Sequence, residues 1–181
     1  MKRSQIIRGH ALAMDMLNKA KLSFSANEIS QMEVGDFGLN NWPVEGAQIV
    51  TLLNTSNVGL KIICLLPGQS LPEHWHTGEG DYPGKEETLR VLAGQLEVGL
   101  PGEESSMWKD APAGKPASYT CRRVTVMNAP DQITLQPGTK HWMRGGADGA
   151  VVMSISTMAT CARDPFTDPG VLRFPPVEEE L

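Results

Sequence analysis

Three of this chain's four histidines fall into one spaced pattern with a glutamate. Gly68, five residues, His74-Trp75-His76, ten residues, Glu87, six residues and Gly94 follow in order, and Pro137-Gly138-Thr139-Lys140-His141 comes later. Each imidazole offers a nitrogen lone pair, and a carboxylate offsets part of a divalent charge. His74, His76, Glu87 and His141 therefore make a donor set suited to Mn, Fe, Co, Ni or Zn. A cage of oxygens would suit Mg or Ca instead. A six-coordinate ion held by these four keeps two positions open, room for a bidentate ligand such as two adjacent sugar oxygens. A lone His-x-His pair in a strand is more often inert. Here the glycines, the spaced carboxylate and the later histidine agree, and the open positions favour a catalytic ion over a structural one.

Something must bring these residues together. Side chains alternate across a strand, so a strand through 74–76 would turn both histidines to one face and Trp75 to the other. The chain holds 18 glycines and 13 prolines, and short apolar runs punctuated by them begin at Ala47. They read as strands over 47–55, 58–66, 87–92, 95–100, 118–127, 131–136, 140–144 and 150–157. Ser56-Asn57 and Ala93-Gly94 read as hairpin turns. Many short strands without alternating helices indicate an all-β jelly-roll or barrel. One helix is expected over Gln5 to Lys21, capped by Ser4, with Ile6, Ala13, Met14 and Leu17 on a shared face. Gly9 weakens that helix by about 1 kcal/mol relative to alanine. His10 lies on it and needs no function. The organisation expected is a single domain: helix and connection over 1–46, barrel over 47–160, and a proline-bearing tail over 161–181 that ends in Glu178-Glu179-Glu180 and wraps the surface.

Composition narrows the function classes. The 181 residues are 40% hydrophobic and 20% charged, with a net charge of −5. No basic cluster marks a nucleic-acid partner. No apolar run approaches the roughly 20 residues of a membrane span. Arg8, His10 and Asp15 interrupt any signal-peptide core after Met1-Lys2-Arg3-Ser4. Cys64, Cys121 and Cys161 are odd in number and lack metal-ligand spacing, which points to buried thiols in a reduced, cytoplasmic protein.

The two histidine words, with Glu87 and the glycines around them, resemble the two motifs of the cupin superfamily. The stretch between His76 and Glu87 is longer than the three or four residues of many cupins. Pro-Gly-Lys-Glu-Glu-Thr-Leu-Arg (83–90), Pro-Gly-Thr-Lys-His-Trp (137–142), Phe-Thr-Asp-Pro (166–169) and Asp36-Phe37-Gly38 are similar to the D-lyxose isomerase family of cupins. The likeness touches both ends and the middle of the chain.

That resemblance implies a cupin-type jelly-roll β-barrel with an N-terminal helix. It implies a metal-dependent isomerase that interconverts D-lyxose and D-xylulose, with D-mannose and D-fructose as a related pair, through an enediol. Mn2+ is the ion implied; Zn2+, Fe2+, Co2+ and Ni2+ also fit the donors. By motif match His74, His76, Glu87 and His141 are its ligands, and the relatives are commonly homodimers acting on free sugars. Lys85, two residues before Glu87, is expected to share its cavity and to hold a substrate oxygen or neutralise enediolate charge. Glu86 is the weaker base candidate, because it points the other way in a regular strand. The family carries a glutamate, an acid/base residue, where this chain has Ser154. Glu79, Asp81, Asp164 and Asp168 are the carboxylates available to replace it. Trp75 and Trp142 are expected to turn away from the metal, Trp42 to pack, Tyr82 to sit in a loop that either forms a lid or is ordinary surface, and Arg173 to fold back over the barrel mouth.

Two rival readings keep the donor set. Ser154 motivates a carbohydrate-binding cupin without turnover, which would bind sugar without exchanging its C2 proton. An Fe-dependent dioxygenase would consume oxygen.

Overall fold

The computed structural model describes residues 1–158 and 164–178; Cys161 and the last three residues, Glu179 to Leu181, lie outside the described set. The first helix, α1 (Arg3–Lys19), starts earlier than expected. Ser4 is inside it. Its first turn is closed instead by Gln5, whose Oε1 accepts the Lys2 N–H at 2.9 Å. Gly9, Ala13 and Leu17 form the buried face. A Cβ on Gly9 would lie 2.5 Å from Val34 Cγ1, so the weak helix former is what lets α1 lie against the strand below. A short second helix, α2 (Ala26–Ser30), was not expected. Its signal is in the sequence: Ser25 and Glu28 bond each other's backbone N–H as a capping box.

Eight strands follow: β1 (Glu33–Gly35), β2 (Ala47–Asn54), β3 (Gly59–Leu65), β4 (Ser70–His74), β5 (Glu87–Leu100), β6 (Arg123–Asn128), β7 (Gln132–Leu135) and β8 (His141–Ser156). The β2–β3 hairpin is as expected. Ala93-Gly94 is not a hairpin turn, and 140–144 and 150–157 are not separate strands. β5 and β8 each run unbroken and pair with one another along their length, with register shifts around Ala93 and Gly94. Gly94 has φ +73°, and a Cβ there would overlap the carbonyl of Gly149, itself at φ +78°. The glycines bend two paired strands together, as bulges do.

The bend makes two layers from one continuous sheet. The first half of β5 pairs with β7 and its second half with β6. The first half of β8 pairs with β4 and its second half with β3. One layer is therefore β1-β2-β3-β8-β5-β7 and the other β4-β8-β5-β6. Their inner faces enclose Ile49, Ile63, Leu65, Leu89, Val91, Leu96, Val98 and Met143. This is a jelly-roll barrel. The outer face of β2, β3 and β8 presents Val50, Ile62, Cys64 and Val151 to Ala13 and Leu17 of α1. Burial on both faces is why β3 reads as an unbroken apolar run, Ile62-Ile63-Cys64-Leu65.

Cys64 and Cys121 are free and buried, and burial pushes each thiol up to about 12, with the Glu73 charge adding to the effect at Cys121. Among the described residues no helix is long and apolar enough to cross a membrane.

Candidate metal centre

His74 is the last residue of β4 and lies opposite His141, the first of β8. His76 stands beyond the end of β4, so strand alternation does not place it. Its carbonyl instead accepts the N–H of Gly138 at 2.9 Å, which ties it to the turn before His141. The three rings converge, with centroids 4.3 Å apart for His74 and His141, 5.1 Å for His74 and His76, and 5.2 Å for His76 and His141. One nitrogen from each lies within 4.8 Å of the others, and all three residues are buried, so this triad can hold a metal ion.

Backbone geometry selects the donor atoms. Nδ1 of His74 is 2.8 Å from the Pro72 carbonyl, and Nδ1 of His141 is 2.9 Å from the Thr139 carbonyl. A carbonyl only accepts, so each ring donates from Nδ1 and keeps a lone pair on Nε2. Nε2 of His141 is buried without any hydrogen-bond partner. An orphaned buried acceptor costs about 1–3 kcal/mol, and a bound cation removes that penalty. Burial, the neighbouring rings and Lys85 keep His74 well below its ordinary pKa. Burial likewise brings His141 down to about 4, against a smaller upward pull from Glu87. Both shifts favour the neutral ring, the form that ligates a metal.

Glu87 opens β5 and lies beside the triad. Its Oε2 is 3.0 Å from His76 Nε2 and 4.0 Å from His141 Nε2. Its Oε1 faces the opposite way, accepting from the Ser154 hydroxyl and pairing with Lys85 Nζ at 3.1 Å. Burial alone would raise this carboxyl; the Lys85 and His76 charges outweigh it and hold the pKa well below the carboxylate range. At His76 burial lowers the pKa, but the Asp164 and Glu87 carboxylates beside the ring prevail and raise it. Nδ1 of His76 is 2.9 Å from Asp164 Oδ1, an ion-pair distance without hydrogen-bond alignment.

The structure brings together His74, His76, Glu87, His141, Lys85, Ser154 and Asp164. It does not bring Glu86 to them. Glu86 is exposed, and its Oε2 accepts from Gln136 at 3.0 Å, because Lys85 and Glu87 on either side of it face inward. Glu79 and Asp81 are exposed in the loop. Asp168 is held elsewhere, by the Ser118 hydroxyl at 3.1 Å and Lys115 at 3.4 Å. Tyr82 pins its loop to the end of β8 through a 2.8 Å bond to the Met158 carbonyl, which favours an ordinary surface loop over a lid. Trp142 turns away from the histidines to donate to the Cys121 carbonyl at 2.8 Å, and Trp42 packs beside Leu66. Arg173 does fold back, lining the same cavity while paired with Glu33 and lying over Phe37 at 5.6 Å. Lys61, which also lines it, was missed; its signal was the alternation Lys61, Ile63, Leu65 on the inward face of β3. Phe37, Leu71 and Phe166 supply apolar wall.

No family model matches the chain. It is 40% identical over 165 residues to the D-lyxose ketol-isomerase of Cohnella laeviribosi, spanning 91% of each chain. It is 32% identical over 180 residues to the D-lyxose/D-mannose isomerase of Thermosediminibacter oceani, spanning 99% of each. Among solved structures, the L-ribose isomerase of Geodermatophilus obscurus superposes with a TM-score of 0.75 at 17% identity, over 94% of both chains. That last likeness is one of fold, the cupin-type jelly-roll barrel.

Proposed function

Since the chain belongs to the D-lyxose ketol-isomerase family, we propose that it is an aldose–ketose isomerase acting on D-lyxose and D-xylulose, with D-mannose and D-fructose as a second pair. The observation that carries the reading is the buried, partnerless Nε2 of His141 beside two further imidazoles and the Glu87 carboxylate. His74, His76, Glu87 and His141 would hold the ion, and Mn2+ is the one proposed. A divalent ion in such a place supplies Lewis acidity while negative charge develops on the sugar's first two oxygens.

The chain's own side chains account for the remainder. Lys85, held beside Glu87 and only 5% exposed, keeps a positive charge where an enediolate oxygen would develop, and can donate to it. Ser154 and Lys85 hold Oε1 of Glu87, which leaves Oε2 turned to the histidines. Asp164 supplies the cavity with a carboxylate besides Glu87. The apolar walls limit water around the reacting carbons. Two buried free thiols fit a reducing cytoplasm, and exposed Ile7, Leu172, Phe174 and Val177 fit a homodimer contact.

Proton NMR of D-lyxose in D2O tests the assignment, first with metal-stripped protein and then with Mn2+ added. D-xylulose and deuterium at C2 are expected only after the addition. Absence of exchange with D-lyxose and D-mannose, despite verified Mn2+ binding, would replace the isomerase with a sugar-binding relative. Repeating the assay with Zn2+ and Ni2+ identifies the working ion, since both outbind Mn2+ at most nitrogen and oxygen sites.

A further inference from the structure

The C-terminal tail is tied down at three places. Beside the histidine segment, the Pro165 carbonyl accepts the Trp75 N–H at 3.2 Å and the Glu73 carbonyl accepts the Thr167 N–H at 2.9 Å. Phe166 pairs with His74 between them, which makes a short antiparallel ladder. Further on, the Phe37 carbonyl accepts the Leu172 N–H at 2.8 Å, and at the end the Met1 carbonyl accepts the Glu178 N–H at 3.0 Å. Between the last two ties stands Arg173, its side chain 12% exposed.

Arg173 marks one end of the cavity. A wall of rings leads to it from the metal centre. Centroids lie 5.5 Å apart for His74 and Phe166 and 5.8 Å for Phe166 and Phe37, and the Arg173 guanidinium is 5.6 Å from the Phe37 centroid. Among the described residues that line the cavity, Arg173 alone also lines the groove beyond it, against Met1, Ile6, Val34 and Val177. It is the partition between the two. Glu33, which lines the groove and not the cavity, accepts from its Nη1, and from Nη2 at 3.1 Å. Phe174 lies 4.6 Å from the same guanidinium.

An aldose held by its first two oxygens at the metal centre must lay its carbon chain along this wall. Phe166 and Phe37 can receive C–H groups but no hydroxyl. A hydroxyl buried without a partner is penalised, so the far end of the sugar needs a polar group, and Arg173 is the polar residue that the structure puts at that end. A guanidinium is permanently charged and carries five N–H donors in a planar fork. Pairing with Glu33 fixes that plane in advance, so little ordering is lost when a sugar arrives. Glu33 also balances the charge. That suits a neutral hydroxyl better than a phosphate or carboxylate, which would compete with Glu33 for the same fork.

We propose that Arg173 is a specificity-determining residue: its guanidinium, braced by Glu33, closes the cavity at the end away from the metal centre and donates to the terminal hydroxyl of an unphosphorylated aldose. This rests on the reading of the cavity as an aldose site.

5-Deoxy-D-lyxose, which lacks only the terminal hydroxyl, tests it. The preference for D-lyxose over the deoxy sugar, as a ratio of kcat/KM, is measured for Mn2+-loaded native protein and for Arg173→Ala. Comparing the two ratios cancels the difference in ring form between the sugars. The native ratio should exceed the variant's by about 10- to 100-fold, the range for a hydrogen bond from a charged donor. The loss should fall on D-lyxose, chiefly through KM, with Mn2+ affinity unchanged. Arg173→Met, which keeps the stem over Phe37 without any donor, gives the same reading should the alanine variant fail to fold. Equal ratios in native and variant would overturn the proposal, since a merely structural role slows both sugars alike. If neither sugar is turned over, the isomerase reading fails; calorimetric binding of both sugars to the Mn2+-loaded proteins then yields the same comparison and judges Arg173 separately.

Discussion

Two buried carboxylates flank the histidine segment, and their surroundings differ in one respect. Glu73, in the seam where the tail and the 101–122 connection close over the barrel, has every partner it needs. Its Oε1 accepts from the Thr167 and Thr120 hydroxyls at 2.6 and 2.7 Å, and its Oε2 from the Cys121 N–H at 2.7 Å. Glu87, in the cluster, has one oxygen saturated and the other turned to imidazoles, two of which have a nitrogen with no hydrogen-bond partner. A polar cluster whose donors and acceptors match is complete as folded. One with imidazole acceptors left over can be completed by a cation.

Removing each carboxylate should therefore do opposite things. Glu87→Ala is expected to have the largest effect, lowering Mn2+ affinity by more than the about 100-fold typical of an outer partner, with isomerase activity lost. Titration calorimetry on the metal-stripped variant measures it, and native-like occupancy would erase the distinction between the two regions. Glu73→Ala should act on stability. It would leave the buried Cys121 N–H without its acceptor, at a cost of about 1–3 kcal/mol. Denaturant unfolding should show the loss while the folded variant binds Mn2+ within a few-fold of native; a matching loss of affinity would mean that the regions are one.

The smallest effect belongs to Asp168, at the far edge of the same seam. Burial raises its pKa, but the Gly170 N–H, the Ser118 hydroxyl and Lys115 outweigh that and bring it below 3.8. A depressed folded pKa contributes stability that is present above the unfolded value and lost as pH falls through the folded one. The difference in melting temperature between native protein and Asp168→Asn should thus be constant near neutrality and shrink below about pH 3.8. A difference that persisted undiminished in acid would assign it to packing rather than charge.

Much of the cluster was legible because its three histidines lie in two compact words. Pro72-x-His74 and Thr139-x-His141 even contain the carbonyls that orient their rings. The β2–β3 hairpin was legible from its turn, and α1 from its buried face. The long strands were not: Ala93-Gly94 is the same dipeptide whether it reverses the chain or bends it, and only Gly149 packed against it makes it a bend. Alternation along the strand already set Glu86 on the face opposite Lys85 and Glu87, and it is the exposed one of the three. Asp164 stood among four interchangeable carboxylates until the ladder with 73–75 singled it out.

By itself the sequence determined the chemistry that is available: three imidazoles, a carboxylate and a lysine, in strands and just beyond their ends, in a chain 40% identical to a D-lyxose ketol-isomerase. Residue type and spacing decide which atoms can donate, and these are local properties. Tertiary structure alone decided which donors are left without partners, which oxygen of Glu87 faces them, and which distant acid reaches His76. Those depend on pairings between segments far apart in the chain, and spacing along one strand carries no information about what packs across from it.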